Sequence, residues 1–171
     1  MKGGERPLSV NKSDRTESKL EAQSMAEDLA AYTLKITDNP NVFKPIIMKT
    51  VQNVINKEGN EIPVCIVFVT ADTFLEKIRD LATDISCKVW TANHVVVKTR
   101  DDMETRSRIQ SDACKDCNRM LSMVQIARRR YHLKMQKYEA WVKQILAVRD
   151  KIKAWRDADR KRYLSMLKDV Q

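Results

Sequence analysis

The chain has 171 residues, of which 43% are hydrophobic and 32% charged, but only three are Gly and four are Pro. So few turn-forming residues disfavour β-rich folds and glycine-rich nucleotide loops, and they favour long helices in one domain. Residues 115–171 hold 16 of the 32 Lys and Arg but six of the 23 Asp and Glu, a net charge of +10 within a total of +9. Such a one-sided positive field attracts polyanions, so composition favours a nucleic-acid partner over a small-molecule substrate.

Residues 1–15 contain Gly, Pro and charges but no periodic apolar residues, which predicts a disordered N-terminal arm. The arm lacks the apolar core of a signal peptide, and no segment approaches 18 uncharged apolar residues. We therefore expect a cytoplasmic protein with no membrane partner, in which residues 16–171 form the folded domain. The four Cys are expected to be reduced thiols in that compartment.

The first helix is predicted to start at Ser18, because Ser18 and Glu21 have the spacing of a capping box. Apolar positions then follow at helical spacing: Leu20, Met25, Leu29, Tyr32 or Thr33, and Ile36. Residues 38–41, Asp-Asn-Pro-Asn, predict its end.

The segment from Phe43 to Val69 is open to two interpretations. Val51, Val54 and Ile55 fit a short helix, but Lys57–Asn60 is a turn signal, and the residues after it are dense in β-branched side chains. We favour a β-hairpin that pairs roughly residues 47–56 with 61–69. An isolated hairpin is marginally stable, so it should pack on helices or on a neighbouring subunit.

Three further helices are predicted after the hairpin. Thr70 is expected to cap the second helix, with Asp72 in its first turn, and Thr99 is expected to cap the third. The fourth is predicted from Met135 to Lys168. The apolar positions of the second helix are Phe74, Ile78, Leu81, Ile85, Val89 and Ala92. Those of the third are Ile109, Ala113, Cys117, Met120 or Leu121, Val124 and Ala127. Those of the fourth are Tyr138, Trp141, Ile145, Val148, Ile152 and Trp155. Four long helices with mostly short connections predict an all-α, up-down antiparallel four-helix bundle with the hairpin inserted between helices one and two.

The candidate binding residues are basic and belong to the last two helices: Arg128, Arg129, Arg130, Arg149, Lys153, Arg156, Arg160, Lys161 and Arg162. The residues at 149, 153, 156 and 160 are spaced 4-3-4, which places them on one helical stripe. Guanidinium groups bind phosphates through paired hydrogen bonds. The alternative is a solvated helix face on which Asp150, Asp157 and Asp159 neutralise these bases locally, but six acids cannot neutralise sixteen bases.

Other candidate chemistry is weaker. Trp155 can stack on a base, yet it continues an apolar stripe and is expected to pack inside; Trp90 is either core or subunit interface. Cys114 and Cys117 have metal-like spacing, but a second ligand pair at suitable spacing is missing from the sequence, so no metal or other cofactor is expected. Since no nucleophile motif, phosphate loop or carboxylate set is present, we do not expect an enzyme.

Five segments resemble a known family when they are taken in order: Glu17–Glu21, Ala92–Asn93, Val97–Thr99, Tyr138–Trp141 and Ile152–Tyr163. The resemblance covers roughly residues 16–164. The family is the bacterial four-helix-bundle family that includes Avd, the accessory variability determinant of diversity-generating retroelements, and the proteins encoded by intervening sequences in ribosomal RNA genes. The chain departs from its commoner pattern at residues 44–68, where many relatives have a short connector.

The resemblance implies a homopentameric ring with basic surfaces. In the Avd branch it implies a non-catalytic accessory subunit that binds a reverse transcriptase and its template RNA and cDNA, and so supports mutagenic retrohoming. The alternative it implies is a structural oligomer of the intervening-sequence type, with general nucleic-acid binding and no retroelement role.

Overall fold

The computed structural model describes residues 12–44, 46–70 and 72–168. Within them lie four helices: α1 (Lys12–Thr37), α2 (Thr73–His94), α3 (Arg100–Tyr131) and α4 (Met135–Lys168), of which α4 is the longest. Two strands, β1 (Ile46–Ile55) and β2 (Glu61–Thr70), form an antiparallel sheet between α1 and α2. The predicted helix number, the hairpin and its place in the chain are therefore confirmed.

The first helix starts earlier than its sequence signal indicates. It begins at Lys12, so Ser18 lies inside it and does not form its N-terminal cap. Residues 12–15, which were assigned to the N-terminal arm, are helical, and residues 1–11 lie outside the described part of the chain. The reason is local: Gly3, Gly4 and Pro7 lie before Lys12, and nothing between Lys12 and Ser18 interrupts a helix.

The four helices share one hydrophobic core, and we call them together the helical body. Each helix packs on two others: α1 and α3 both pack on α2 and α4. The apolar positions predicted for α2, α3 and α4 are buried or packed against this core. For α1 the sequence left open whether Tyr32 or Thr33 is the core position. Thr33 is fully buried and accepts a hydrogen bond from Trp141 Nε1 at 3.1 Å, so it is the core position. Within the described ranges, no helix combines the length and apolar character that crossing a membrane requires.

Contacts near the helix termini place α1 against α2, and α3 against α4, in opposite directions. Asn93, late in α2, donates to Gln23, early in α1, at 3.1 Å. Gln110 in the first half of α3 donates to Asp159, late in α4, at 3.1 Å. The hairpin is therefore attached at the end of the body where α1 and α3 end and α2 and α4 begin. We call this the hairpin end. The other end is called the distal end.

The start of α2 corrects a sequence prediction. Thr70 is not its cap, because Thr70 still belongs to β2 and pairs with Ile46. Asp72 caps the helix instead, and its carboxylate accepts from the Phe74 N–H at 2.9 Å. The third helix starts as predicted: Thr99 and Asp102 form a reciprocal capping box, with Asp102 N–H donating to Thr99 Oγ1 at 3.2 Å.

The hairpin pairs from Ile46↔Thr70 to Ile55↔Glu61, within one residue of the predicted register. Its turn is closed by the Asn56 N–H, which donates to the Asn60 carbonyl at 2.9 Å, and Gly59 supplies a left-handed residue at φ 81°. The alternative of a short helix here is wrong. Among the described residues, the extensive contacts of each strand are with the other strand and not with any helix.

Candidate nucleic-acid interface

The connection between α3 and α4 brings basic residues from separate segments together at the hairpin end. The left-handed residue His132, at φ 51° and ψ 44°, ends α3, and α4 starts three residues later. Two adjoining clefts flank this connection, of about 610 Å³ and about 530 Å³, and both are lined by His132 and Leu133. Their cationic lining residues, which we call the turn surface, are Lys44, Arg128, Arg129, Lys134 and Lys137.

The turn surface is uniformly positive. All five of its side chains are exposed, and none of the described residues that line the two clefts is an Asp or Glu. Three of the five, Lys44, Lys134 and Lys137, were not among the sequence candidates. The sequence signal was weak, because Lys44 lies some 90 residues from the other two and only the fold places them at one cleft.

The three arginines at the end of α3 differ in how they are held. The Arg128 guanidinium lies 4.9 Å from the centre of the Tyr138 ring. Arg130 contacts Asp72 at 3.4 Å and also lies over the Tyr131 ring. Arg129 has no ion pair or ring contact among the described residues. A cation–π contact orients a guanidinium without neutralising its charge, so Arg128 stays available to an anion. Arg129 stays available as well, whereas Arg130 is partly neutralised by Asp72.

Asp72 is the carboxylate that partly neutralises the charge of Arg130. Burial by itself raises the pKa of Asp72, but hydrogen bonds from the Tyr131 hydroxyl and the Phe74 N–H, together with the charge of Arg130, lower that pKa further than burial raises it. Asp72 is therefore ionised at neutral pH. Burial and the same hydrogen bond raise the pKa of Tyr131, so its hydroxyl stays protonated and keeps donating.

The α4 stripe, defined as Arg149, Lys153, Arg156 and Arg160, lies along α4 as predicted. Arg149 reaches across to Asn118 of α3 at 3.2 Å, and Arg156 reaches Ser111 of α3 at 3.3 Å. These two arginines also contact their sequence neighbours, Asp150 at 3.1 Å and Asp157 at 3.5 Å. Half of the charge of the α4 stripe is therefore locally neutralised.

Lys153 and Arg160 are the free half of the α4 stripe, because neither forms an ion pair with any described residue. Lys161 is likewise exposed and unpaired within the described ranges, and Arg162 Nη1 lies 3.9 Å from Asp159. Tyr138, which marks the turn surface, and Arg160 are 22 residues apart on α4, about 33 Å along its axis. The nine predicted residues therefore form two separate groups.

The alternative interpretation placed Asp159 on a solvated helix face as a partner of these bases; it lies 3.9 Å from Arg162, but it is not solvated. Asp159 is buried at the distal end, where its Oδ2 lies 3.1 Å from Arg106 Nε and accepts from Gln110. The Arg106 guanidinium also lies over the Trp155 ring at 5.1 Å. The signal that could have found this cluster is the 3-4 alternation on α3, which runs through buried polar positions as well as apolar ones: Met103, Arg106, Gln110, Ala113, Cys117 and Met120.

The remaining sequence candidates are structural or exposed. Cys114 and Cys117 are buried in the core, where burial raises the pKa of both thiols, that of Cys117 to about 12. In the described part of the chain, no three His, Cys, Asp or Glu side chains are grouped to hold a metal ion. Trp155 is buried as predicted. Trp90 is 51% exposed, which excludes the core, and it stacks on His94 with 3.8 Å between ring centres.

Comparisons with protein-family models, with curated proteins and with solved structures find no match to this chain. The family resemblance seen in the sequence therefore stays a prediction.

Proposed function

We propose that this protein is a non-catalytic nucleic-acid-binding subunit whose main contact is the turn surface. The observation that supports this is that the described residues lining the two adjoining clefts include five exposed cations and no carboxylate. Lysines act as point charges and arginines as bidentate donors, and phosphate oxygens accept from both. Tyr138 holds Arg128 in place, which reduces the entropy that the side chain loses on binding.

The α4 stripe extends this surface in the same proposal. A nucleic-acid strand that ran about 33 Å along the body would pass roughly ten nucleotides at 3.4 Å each. In this proposal the strand contacts the turn surface and also Lys153 and Arg160, which form no ion pair with any described residue. Charge of this kind binds phosphates without regard to base sequence, so the isolated protein should bind RNA and DNA with little sequence preference.

The decisive experiment compares two charge-reversal variants by fluorescence anisotropy on a labelled RNA. The turn variant changes Lys44, Arg129, Lys134 and Lys137 to Glu. The stripe variant changes Arg149, Lys153, Arg156 and Arg160 to Glu. Both change the formal charge from +9 to +1, so they differ in the position of the change and not in its size.

We expect the turn variant to weaken binding more than the stripe variant, by about tenfold or more. Its salt dependence should also flatten, because four lost contacts at about 0.7 each reduce the slope of log K against log salt by about 3 on a single strand. Circular dichroism of both variants should match the parent, since six of the eight side chains are exposed and the other two half-buried. Equal losses in the two variants would contradict a local site, and a larger loss in the stripe variant would move the site to α4.

The resemblance extends the proposal to a biological role. The four helices would form an up-down antiparallel bundle, assemble as a homopentamer in the cytoplasm, and act as the accessory subunit of a diversity-generating retroelement. Several copies of one basic surface then raise the avidity for a long template RNA and for the reverse transcriptase bound to it.

This role is tested by co-expression of the chain with a reverse transcriptase encoded beside its gene and with the template RNA of that enzyme. The three should co-purify, and mutagenic cDNA synthesis should require this chain. If the polymerase makes the same cDNA without it, the role is that of a structural oligomer of the intervening-sequence type.

A further inference from the structure

Both faces of the hairpin carry exposed apolar side chains over residues 49–67, the part whose side chains the structure describes. The register places Val51 and Ile55 on one face, where they are 65% and 68% exposed. On the other face, Val54, Ile62 and Val64 are also exposed. A two-stranded hairpin that packs on no helix is marginally stable in water, and stability needs at least a third strand or a helix. The described residues supply neither.

The two edges of the hairpin differ in their capacity to accept another strand. Because the Asn56 N–H points at the partner strand and antiparallel residues alternate, the N–H and C=O groups of residues 47, 49, 51, 53 and 55 point away from β2. On the outer edge of β2 the corresponding residues include Pro63, which has no N–H. The edge of β1 is therefore complete, and the edge of β2 is interrupted.

Charge favours a second copy at this edge over a nucleic acid. Residues 46–70 carry Lys49, Lys57, Glu58 and Glu61, a net charge of zero in a chain of net charge +9. A neutral apolar sheet offers phosphates no attraction. It also lets two strongly positive chains meet without facing their charged surfaces toward each other.

We propose that β1 pairs antiparallel with β1 of a second copy about a two-fold axis, so that two hairpins form one four-stranded sheet. With Val51 opposite its own counterpart, Lys49 lies opposite Asn53, and no like charges are opposed. The five outward-facing residues of each strand then form about ten hydrogen bonds, which is the number in a typical protein–protein interface. The sheet reaches the size at which strands become independently stable.

This pairing is a self-association site, and it does not depend on the nucleic-acid proposal. A two-fold contact gives a dimer, or a decamer when it joins two of the homopentameric rings proposed above. The mass of the wild-type protein in solution should therefore be an even multiple of 19.9 kDa.

The test uses two cross-strand partners on the same rung of the ladder. Val51 and Cys65 face each other, and each has its N–H on an outer edge. Val51→Pro removes a donor from the β1 edge, and Cys65→Pro removes one from the β2 edge, which already contains Pro63. Neither change removes a hydrogen bond within the hairpin, so Cys65→Pro is a matched control.

Light scattering coupled to gel filtration, over a dilution series, should show that Val51→Pro weakens association at least about tenfold and halves the mass, because the central pair loses both hydrogen bonds and gains a ring at the contact. Cys65→Pro should keep the wild-type mass. Thermal melting of the helical body should be alike in all three proteins. A monomeric wild type, an odd-numbered assembly, or equal behaviour of the two proline variants would overturn the proposal.

Discussion

The two ends of the helical body each hold an arginine–aspartate pair beside an aromatic ring, but at different depths. At the distal end, the side chains of Arg106 and Asp159 are 5% and 6% exposed. At the hairpin end, Asp72 is 9% exposed, whereas Arg130 is 50% exposed. The same two residue types therefore meet once in a dry environment and once at the boundary with water.

This difference in depth decides what each pair does. A buried ion pair adds little net stability, because the attraction between its charges only offsets the free energy of removing both from water. Removal of one partner, however, leaves the other charge buried and without its counter-ion. A half-exposed pair is screened by water and contributes about 1 kcal/mol or less. The distal pair therefore joins α3 to α4 in the interior, where loss of either partner alone is costly. The hairpin-end pair leaves its guanidinium facing the solvent, next to the turn surface.

The largest expected effect comes from breaking the distal pair. Asp159→Ala removes the acceptor of Gln110 and the carboxylate beside Arg106, and should destabilise the protein by about 3–5 kcal/mol. Chemical denaturation measures this loss. The control is the double change Arg106→Met and Asp159→Leu, which removes both charges and should recover most of the stability. A single variant as stable as the double would mean that Arg106 is not desolvated.

Removal of the carboxylate at the hairpin end should destabilise the protein less than removal of the distal one. Asp72→Ala removes the cap of α2 and the acceptor of the Tyr131 hydroxyl, which predicts a loss of about 1–2 kcal/mol. The same denaturation experiment measures it, with Asp101→Ala, an exposed residue in the first turn of α3, as the control for loss of an acid near a helix start. A loss as large as that of Asp159→Ala would remove the distinction between the two ends.

Acid should abolish the part of the Asp72 contribution to stability that depends on the charge of its carboxylate. Asp72→Asn keeps a capping oxygen and removes only the charge, so its stability difference from the parent isolates that part. Since the pKa of Asp72 in the fold is below the ordinary 3.8, the stabilisation is complete above that pH and is lost as the pH falls through the folded pKa. Stability measured from pH 7 downward should therefore converge for the two proteins only below about pH 4. Convergence already at pH 6 would contradict an ionised Asp72.

The smallest expected effect concerns the turn between α3 and α4. His132 has a left-handed backbone, which costs a side-chain-bearing residue about 1 kcal/mol, while Gly loses somewhat more entropy on folding. His132→Gly should therefore raise the stability by about 0.5 kcal/mol, or about 1–2 °C in melting temperature. His132→Ala keeps the strain and should give no increase. An increase in both would show that the imidazole itself is unfavourable there.

Much of the secondary structure follows from the sequence by itself, because it depends on residues three or four positions apart. Helical spacing located the buried positions of α2, α3 and α4, and Thr99 marked the start of α3. Clustered β-branched residues and Gly59 gave the hairpin within one residue. The start of α2 was misplaced because two local structures compete for Thr70, and the strand ladder retains it.

The candidate site and the polar interior depended on the tertiary structure. Residue type alone places Arg106 and Asp159 on the surface, and only the packing of α3 on α4 shows that their register buries them. The basic residues of the last two helices look like one set in the sequence, but about 33 Å of α4 separates Tyr138, beside Arg128, from Arg160. The tertiary structure also brings Lys44 to Lys134 and Lys137. Local sequence determines which face of a helix is apolar; which faces and termini then meet is decided by the burial of all four helices together.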